Sequence, residues 1–122
     1  MAYAQGSVVL APASFGGGRR PYLVVSNEDR PSFGDEYTVA VITTTPREAA
    51  VELTAESFVE GRLDRYPSYV NPWSLRVFQH DDVDRRVGQL DGSAMEAVVD
   101  GIDEFVRRVT RRLNASADYD RQ

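Results

Sequence analysis

The chain of 122 residues contains no cysteine and no lysine. Without cysteine there are no disulfides, zinc-thiolate sites or thiol nucleophiles, so the fold depends on its core or on a partner subunit. Without lysine, all 14 basic residues are arginines, and only one histidine is present. Such a composition fits a salt-adapted cell or a GC-rich genome alike. Long apolar runs are missing too. The N-terminus "MAYAQGSVVL" has neither the basic flank nor the apolar stretch of a signal peptide, and no segment approaches membrane-spanning length. The expectation is a soluble, cytoplasmic protein.

Nineteen acids against 14 arginines leave a net charge of −5. That balance argues against general polyanion binding, which comes mostly from phosphate neutralisation. Any contact with nucleic acid must be local, made by a few clustered arginines. A chain of this length fits one domain with one core.

Short β-branched and alternating runs fill the first three quarters: "SVVLAP" at 7 to 12, "YLVVS" at 22 to 26, "YTVAVITT" at 37 to 44, "AVEL" at 50 to 53, "SYVN" at 68 to 71 and "SLRVF" at 74 to 78. Between them lie turn-rich connectors, "GGGRRP" at 16 to 21, "NEDRPSFGDE" at 27 to 36 and "VEGRLDRYP" at 59 to 67. The period then changes. Met95, Val98, Val99, Ile102, Phe105, Val106, Val109 and Leu113 recur at helical spacing. Ser93 and Glu96 have capping-box form, which starts the helix near 93, and Arg107, Arg108, Arg111 and Arg112 crowd the expected last turns, where cations complement the helix dipole. The expected architecture is mainly β with a C-terminal helix: one domain over 1–113, five to seven antiparallel strands closed into a small barrel, a helix over about 93–113, and a disordered polar tail over 114–122.

"GSVVLAP" at 6 to 12, "GGGRRPYLVVSN" at 16 to 27, "VAVITT" at 39 to 44, "SYV" at 68 to 70, "LRVF" at 75 to 78 and "VGQLDGSAMEAVVDGI" at 87 to 102 stand in an order and spacing that resembles the MazF/PemK toxin family. The resemblance covers roughly residues 6 to 106. It implies an SH3-like barrel, a homodimer, and a metal-independent endoribonuclease that cuts single-stranded RNA as the toxin of a type II toxin–antitoxin pair. It also implies an antitoxin protein as partner, threading a segment along the RNA groove with carboxylates that compete for Arg20. The connectors at 27 to 36 and 59 to 67 are expected to shape that groove.

Arg20 occupies the place of the family's loop arginine, and Thr43 that of a catalytic threonine. Cleavage through the 2'-hydroxyl needs that oxygen oriented and the charge growing on phosphorus neutralised. A guanidinium fork suits the second task, and Pro21 biases Arg20 toward an extended, stiff launching point. A threonine hydroxyl can hold a phosphate oxygen or the attacking hydroxyl without a shifted pKa. Read alone, Arg20 is a surface arginine within reach of Glu28 or Asp29, and Thr43 an ordinary strand residue. RNA-binding candidates are Arg19, Thr44, Tyr69, Trp73 and Arg76; Tyr69 and Trp73 can stack unpaired bases or belong to the core or a dimer seam.

Where family members carry an arginine, a hydroxyl residue and an aspartate, this chain reads Arg76, Val77, Phe78, Gln79. A mechanism with that aspartate as general base cannot operate here, which leaves Arg20 and Thr43, helped by Arg76. A second reading is therefore a protein-binding module of the same fold without nuclease activity, and a third is a toxin that poisons another enzyme, as a related branch does to DNA gyrase. His80 reads as a surface loop residue with no partner fixed by the sequence. The acids at 81, 82 and 84 lack the glycine and terminal glutamate of a calcium loop, and no metal or other cofactor is expected.

Overall fold

Three of the apolar runs, those around Val8, Leu23 and Ala40, are too continuous for strands wetted on one side, and the structure shows why. In the computed structural model, which describes residues 2–14 and 16–120 apart from the side chains of 108–112 and 115–120, they are central strands of one antiparallel sheet. The elements in chain order are β1 (Ser7–Pro12), β2 (Arg19–Val24), β3 (Glu36–Thr43), β4 (Val51–Leu53), β5 (Phe58–Gly61), β6 (Ser68–Gln79), β7 (Arg85–Leu90) and the helix α1 (Gly92–Asp120). The sheet runs β4-β6-β3-β2-β1-β7-β5 and curls into a half-barrel with β4 and β5 outermost.

Both faces of its centre are covered. Val8, Leu23, Ala40, Ile42, Leu53, Val70 and Leu90 point to one face and close over Val98 of α1. The alternate residues Val9, Ala11, Tyr22, Val24, Tyr37 and Val39 form a second cluster on the other. Burial on both sides removes the polar half of the alternation. Val83, from the segment before β7, seals the second cluster together with the half-buried Tyr3 and Phe78.

The glycine run closes the β1–β2 hairpin. Gly16, Gly17 and Gly18 have φ of +80°, +71° and +78°, and Ala13 donates its N–H to the Gly18 carbonyl at 3.1 Å. Only glycine enters that region freely at three successive positions. Arg19 and Arg20 are not on this loop: both already belong to β2, facing Pro12 and Ala11 of β1.

Three expectations change. The segments at 68 to 71 and 74 to 78 form the single strand β6, because its register against β3 slips between Val41↔Asn71 and Ala40↔Leu75. Residues 72–74 bulge out there, which accommodates Pro72, a residue with no N–H to donate. The connector at 59 to 67 carries most of β5, an edge strand whose exposed residues show no apolar alternation. A Cβ at Gly61 would lie 2.0 Å from the Val87 carbonyl oxygen, so the pairing with β7 needs glycine.

The third concerns α1. Asp91, not Ser93, caps it: Oδ1 of Asp91 accepts the Ala94 N–H at 2.7 Å, and its carbonyl accepts the Met95 N–H at 3.1 Å. The helix continues to Asp120, past the boundary expected at Leu113, so Arg107 lies in its body and pairs with Asp103 at 3.2 Å. The side chains of Arg108, Val109, Arg111 and Arg112 lie outside the described residues. Met95, Val98 and Ile102 pack on the sheet, while Val99, Phe105, Val106 and Leu113 of the same stripe are exposed.

Candidate functional site

Strands β2, β3, β6 and β4 end side by side, and their registers draw a row of polar side chains across the sheet. Thr43 faces Tyr69, and Tyr69 faces Glu52 of β4. The β2–β3 pairing ends at Tyr22↔Val41, which leaves Arg20 and Thr43 each two residues beyond it on neighbouring strand ends. Side chains alternate between the faces of a strand. Arg20 and Thr43, each two residues from Tyr22 and Val41, therefore lie on the face of the second core cluster, away from α1. Asn71, opposite Val41, and Arg76, opposite Val39, belong to that face too.

Arg20 is exposed and forms no ion pair among the described residues; Glu28 and Asp29 do not reach it. Its guanidinium is thus available to an anion. Thr43 is half-buried, and its Oγ1 accepts the Thr45 N–H at 3.2 Å, a turn that fixes the side chain where the strand ends. The hydroxyl proton stays free to donate. Tyr69 is half-buried and Arg76 exposed. Oδ1 of Asn71 is buried with no hydrogen-bond partner.

Other candidates are placed elsewhere. Arg19 and Thr44 lie one residue along from Arg20 and Thr43, and both line a cavity of about 670 Å³ on the opposite side of the strand ends. Arg19 is ion-paired there through Nε to Asp84. Trp73 sits in the β6 bulge and leans on Phe105 of α1, with ring centroids 6.4 Å apart. This places Trp73 on the helix side of the sheet rather than beside Arg20.

His80 is not a partnerless surface residue. It opens a 3₁₀ turn at His80–Asp82, is half-buried, has Nδ1 2.7 Å from the Tyr37 hydroxyl, and stacks on Tyr3 with centroids 5.3 Å apart. The ring is packing and hydrogen bonding to the core, at the end of β6 remote from Thr43. The connector at 27 to 36 folds into successive turns gathered by Arg30, which donates to Thr38 Oγ1 at 3.0 Å and to Glu36 at 2.9 Å. That guanidinium, with the Gln79 amide on the other oxygen, holds the Glu36 carboxyl below its usual range. Among the described residues no group of three or more His, Asp or Glu side chains is placed to hold a metal ion, and no helix is long and apolar enough to cross a membrane.

Residues 4–106 match the family pattern of the PemK-like, MazF-like toxin of type II toxin–antitoxin systems, and the curled antiparallel sheet with one C-terminal helix is consistent with that fold. The chain belongs to the PemK/MazF toxin family. Among solved structures, the Mycobacterium tuberculosis toxin MazF-mt6 is 29% identical with a TM-score of 0.63, over 80% of this chain and 93% of that one. A chain of the MazE–MazF crystal structure from Deinococcus radiodurans has a TM-score of 0.68 at 16% identity, over 87% of this chain and 96% of that one. A mycobacterial endoribonuclease in complex with its cognate antitoxin has a TM-score of 0.65 at 19% identity, over 83% and 89%. No curated protein sequence matches significantly. The sequence resemblance points to Arg20 and Thr43 but not to the buried Asn71 amide or to the cavity arginines Arg62, Arg65 and Arg85, because a buried amide and scattered surface arginines leave no local signature.

Proposed function

We propose that this PemK/MazF family member is a metal-independent endoribonuclease that cuts single-stranded RNA selectively, in the cytoplasm, as the toxin of a type II toxin–antitoxin pair. The observation that carries the reading is that the unpaired Arg20 and Thr43 lie two residues past the last β2–β3 pair, on one face of neighbouring strand ends, with Tyr69 opposite Thr43 on β6. The substrate's own 2'-oxygen attacks phosphorus, the O2'–P bond forms, and the P–O5' bond breaks. The products are a 2',3'-cyclic phosphate and a 5'-hydroxyl; the 2'-hydroxyl proton leaves to solvent, and the departing O5' takes a proton from solvent. Arg20 neutralises charge on the non-bridging oxygens, where a fixed cation stabilises the transition state more than the ground state. Thr43 donates its hydroxyl proton to a phosphate oxygen and so orients the attack. Tyr69 offers a ring on which an unpaired base can stack, and Arg76 a second cation on the same face.

The exposed apolar residues Val99, Phe105 and Val106 of α1, with Leu75 and Val77 of β6, support a homodimer through the helix side of the sheet. The antitoxin is then an acidic segment that covers Arg20 and competes with RNA.

Val77 and Gln79 in place of a hydroxyl and a carboxylate favour one other reading, a family member that binds protein without cutting RNA, the gyrase-poison type included. Incubation of the protein with a long single-stranded RNA in EDTA, at low and high salt, decides between them. Discrete cuts with 5'-hydroxyl ends that vanish in Arg20→Ala are expected. Intact RNA at every salt, with the dimer folded, would leave the protein-binding reading.

A further inference from the structure

The chain's net charge is −5, yet five of its arginines, Arg19, Arg62, Arg65, Arg85 and Arg86, meet around the cavity of about 670 Å³, where the lining includes a single carboxylate, Asp64. They come from distant parts of the sequence. Arg19 opens β2, Arg85 faces Leu10 from β7, and Arg62 is set by its N–H on the Val87 carbonyl at 3.3 Å. Two are neutralised, Arg19 by Asp84 and Arg86 by Glu60. Arg62, Arg65 and Arg85 form no ion pair among the described residues. A chain with an excess of carboxylates has left three guanidinium groups together on a concave wall. Their mutual repulsion disfavours that arrangement unless an anion comes between them.

The place of the cavity indicates the anion. Arg19 adjoins Arg20 on β2, and Thr44 adjoins Thr43 at the end of β3. The cavity and the cleavage row are thus two sides of the same strand ends, one residue apart along the chain. We propose that the cavity binds backbone phosphates of single-stranded RNA flanking the cut phosphate, with Arg62, Arg65 and Arg85 each gripping a phosphate through the guanidinium fork. The inference rests on the nuclease reading and deepens it. The cavity sets the path of the strand, while base stacking and chemistry stay on the Arg20 face. Arginine clusters also hold acidic peptides, but this one adjoins the strand ends that carry Arg20 and Thr43, which favours the RNA strand being cut; the peptide is an outcome of the test.

Binding of a fluorescent single-stranded RNA should be measured across a salt series in the cleavage-silent Arg20→Ala protein, with and without Arg62→Gln, Arg65→Gln and Arg85→Gln together. Removing one arginine from its phosphate lowers the log–log salt slope by about 0.7, so the triple change is expected to lower it by about 2. Arg107→Gln, whose arginine is paired on the helix, should leave it unchanged. Thermal unfolding of each variant checks that the fold persists, and single substitutions replace the triple one if it does not. An unchanged slope overturns the inference even where the wild type cuts RNA, and so does RNA that fails to bind at all. Poly-glutamate binding that needs the three arginines while RNA binding does not would overturn it in favour of a peptide. A slope that falls as expected in a wild-type background that never cuts RNA would sink the nuclease reading and leave the phosphate cavity standing.

Discussion

The hydroxyl of Tyr37 stands 2.7 Å from Nδ1 of His80 and also accepts the Tyr3 N–H at 3.1 Å. Tyr37 is fully buried, so this one oxygen joins the N-terminal segment, β3 and the turn after β6. Tyr37→Phe leaves the part-buried Tyr3 N–H without its acceptor, and since an unsatisfied group costs about 1–3 kcal/mol when fully buried, the loss expected is at the low end, about 1 kcal/mol. Urea unfolding should register a loss of that size. RNA cleavage by the folded fraction should be unaffected, since the row around Thr43 lies at the other end of β3. A loss of cleavage without a loss of stability would make His80 and Tyr37 candidate catalytic groups.

Thr43 makes a more discriminating probe than alanine scanning would, because its oxygen does two things. It holds the Thr45 N–H, and in the proposed mechanism it orients the phosphate. Thr43→Val keeps the shape and removes the hydroxyl; Thr43→Ser keeps the hydroxyl. Loss of one oriented donor at a developing oxyanion costs about 10²–10³ in kcat. The valine variant should fall by that order and the serine variant recover most of it, measured as single-turnover cleavage. Equal activity of the two would show that the hydroxyl has no part in the reaction.

How far these features can be read without coordinates depends on whether their cause is local. The apolar runs at Val8, Leu23, Ala40 and Val70 and the helical stripe from Met95 to Ile102 reveal themselves, since burial acts on each segment separately. β5 and β7 do not, because their residues Val59, Glu60, Arg85 and Arg86 are exposed and it is pairing, of β5 with β7 and of β7 with β1, that makes them strands. Arg20 and Thr43 are recognisable through the family motif. Their juxtaposition with Tyr69 is not, since it follows from two registers joining residues far apart in sequence. The Arg62, Arg65 and Arg85 cluster is non-local in the same way.

The helix start gives a direct test of two rival caps. Ser93 and Glu96 have the sequence pattern, but the backbone places Asp91 at the position whose oxygen meets the Ala94 N–H at 2.7 Å. Removing a true N-cap costs about 0.5–2 kcal/mol. Asp91→Ala should therefore destabilise by about that amount, whereas Ser93→Ala should be close to neutral, with both read from urea midpoints at constant slope. The reverse order would move the helix start two residues along the chain.

Glu36 connects stability to pH. Its two oxygens accept from Arg30 Nη1 and Gln79 Nε2, each at 2.9 Å, and Arg30, the larger cause, holds the carboxyl below its ordinary value. Because the folded form binds the proton less readily than the unfolded chain, the contribution is fully present above the unfolded pKa of about 4 and disappears as pH falls through the lower, folded value. Glu36→Gln should then be less stable than the parent at neutral pH, with the gap closing in acid. Urea midpoints for both proteins, taken from neutral to acid pH, measure it. The pair is partly exposed, so added salt should narrow the gap at neutral pH as well. A gap that stays constant across the acid range would mean that Glu36 joins the 27 to 36 connector to the end of β6 by shape and neutral hydrogen bonding, and that its charge does nothing.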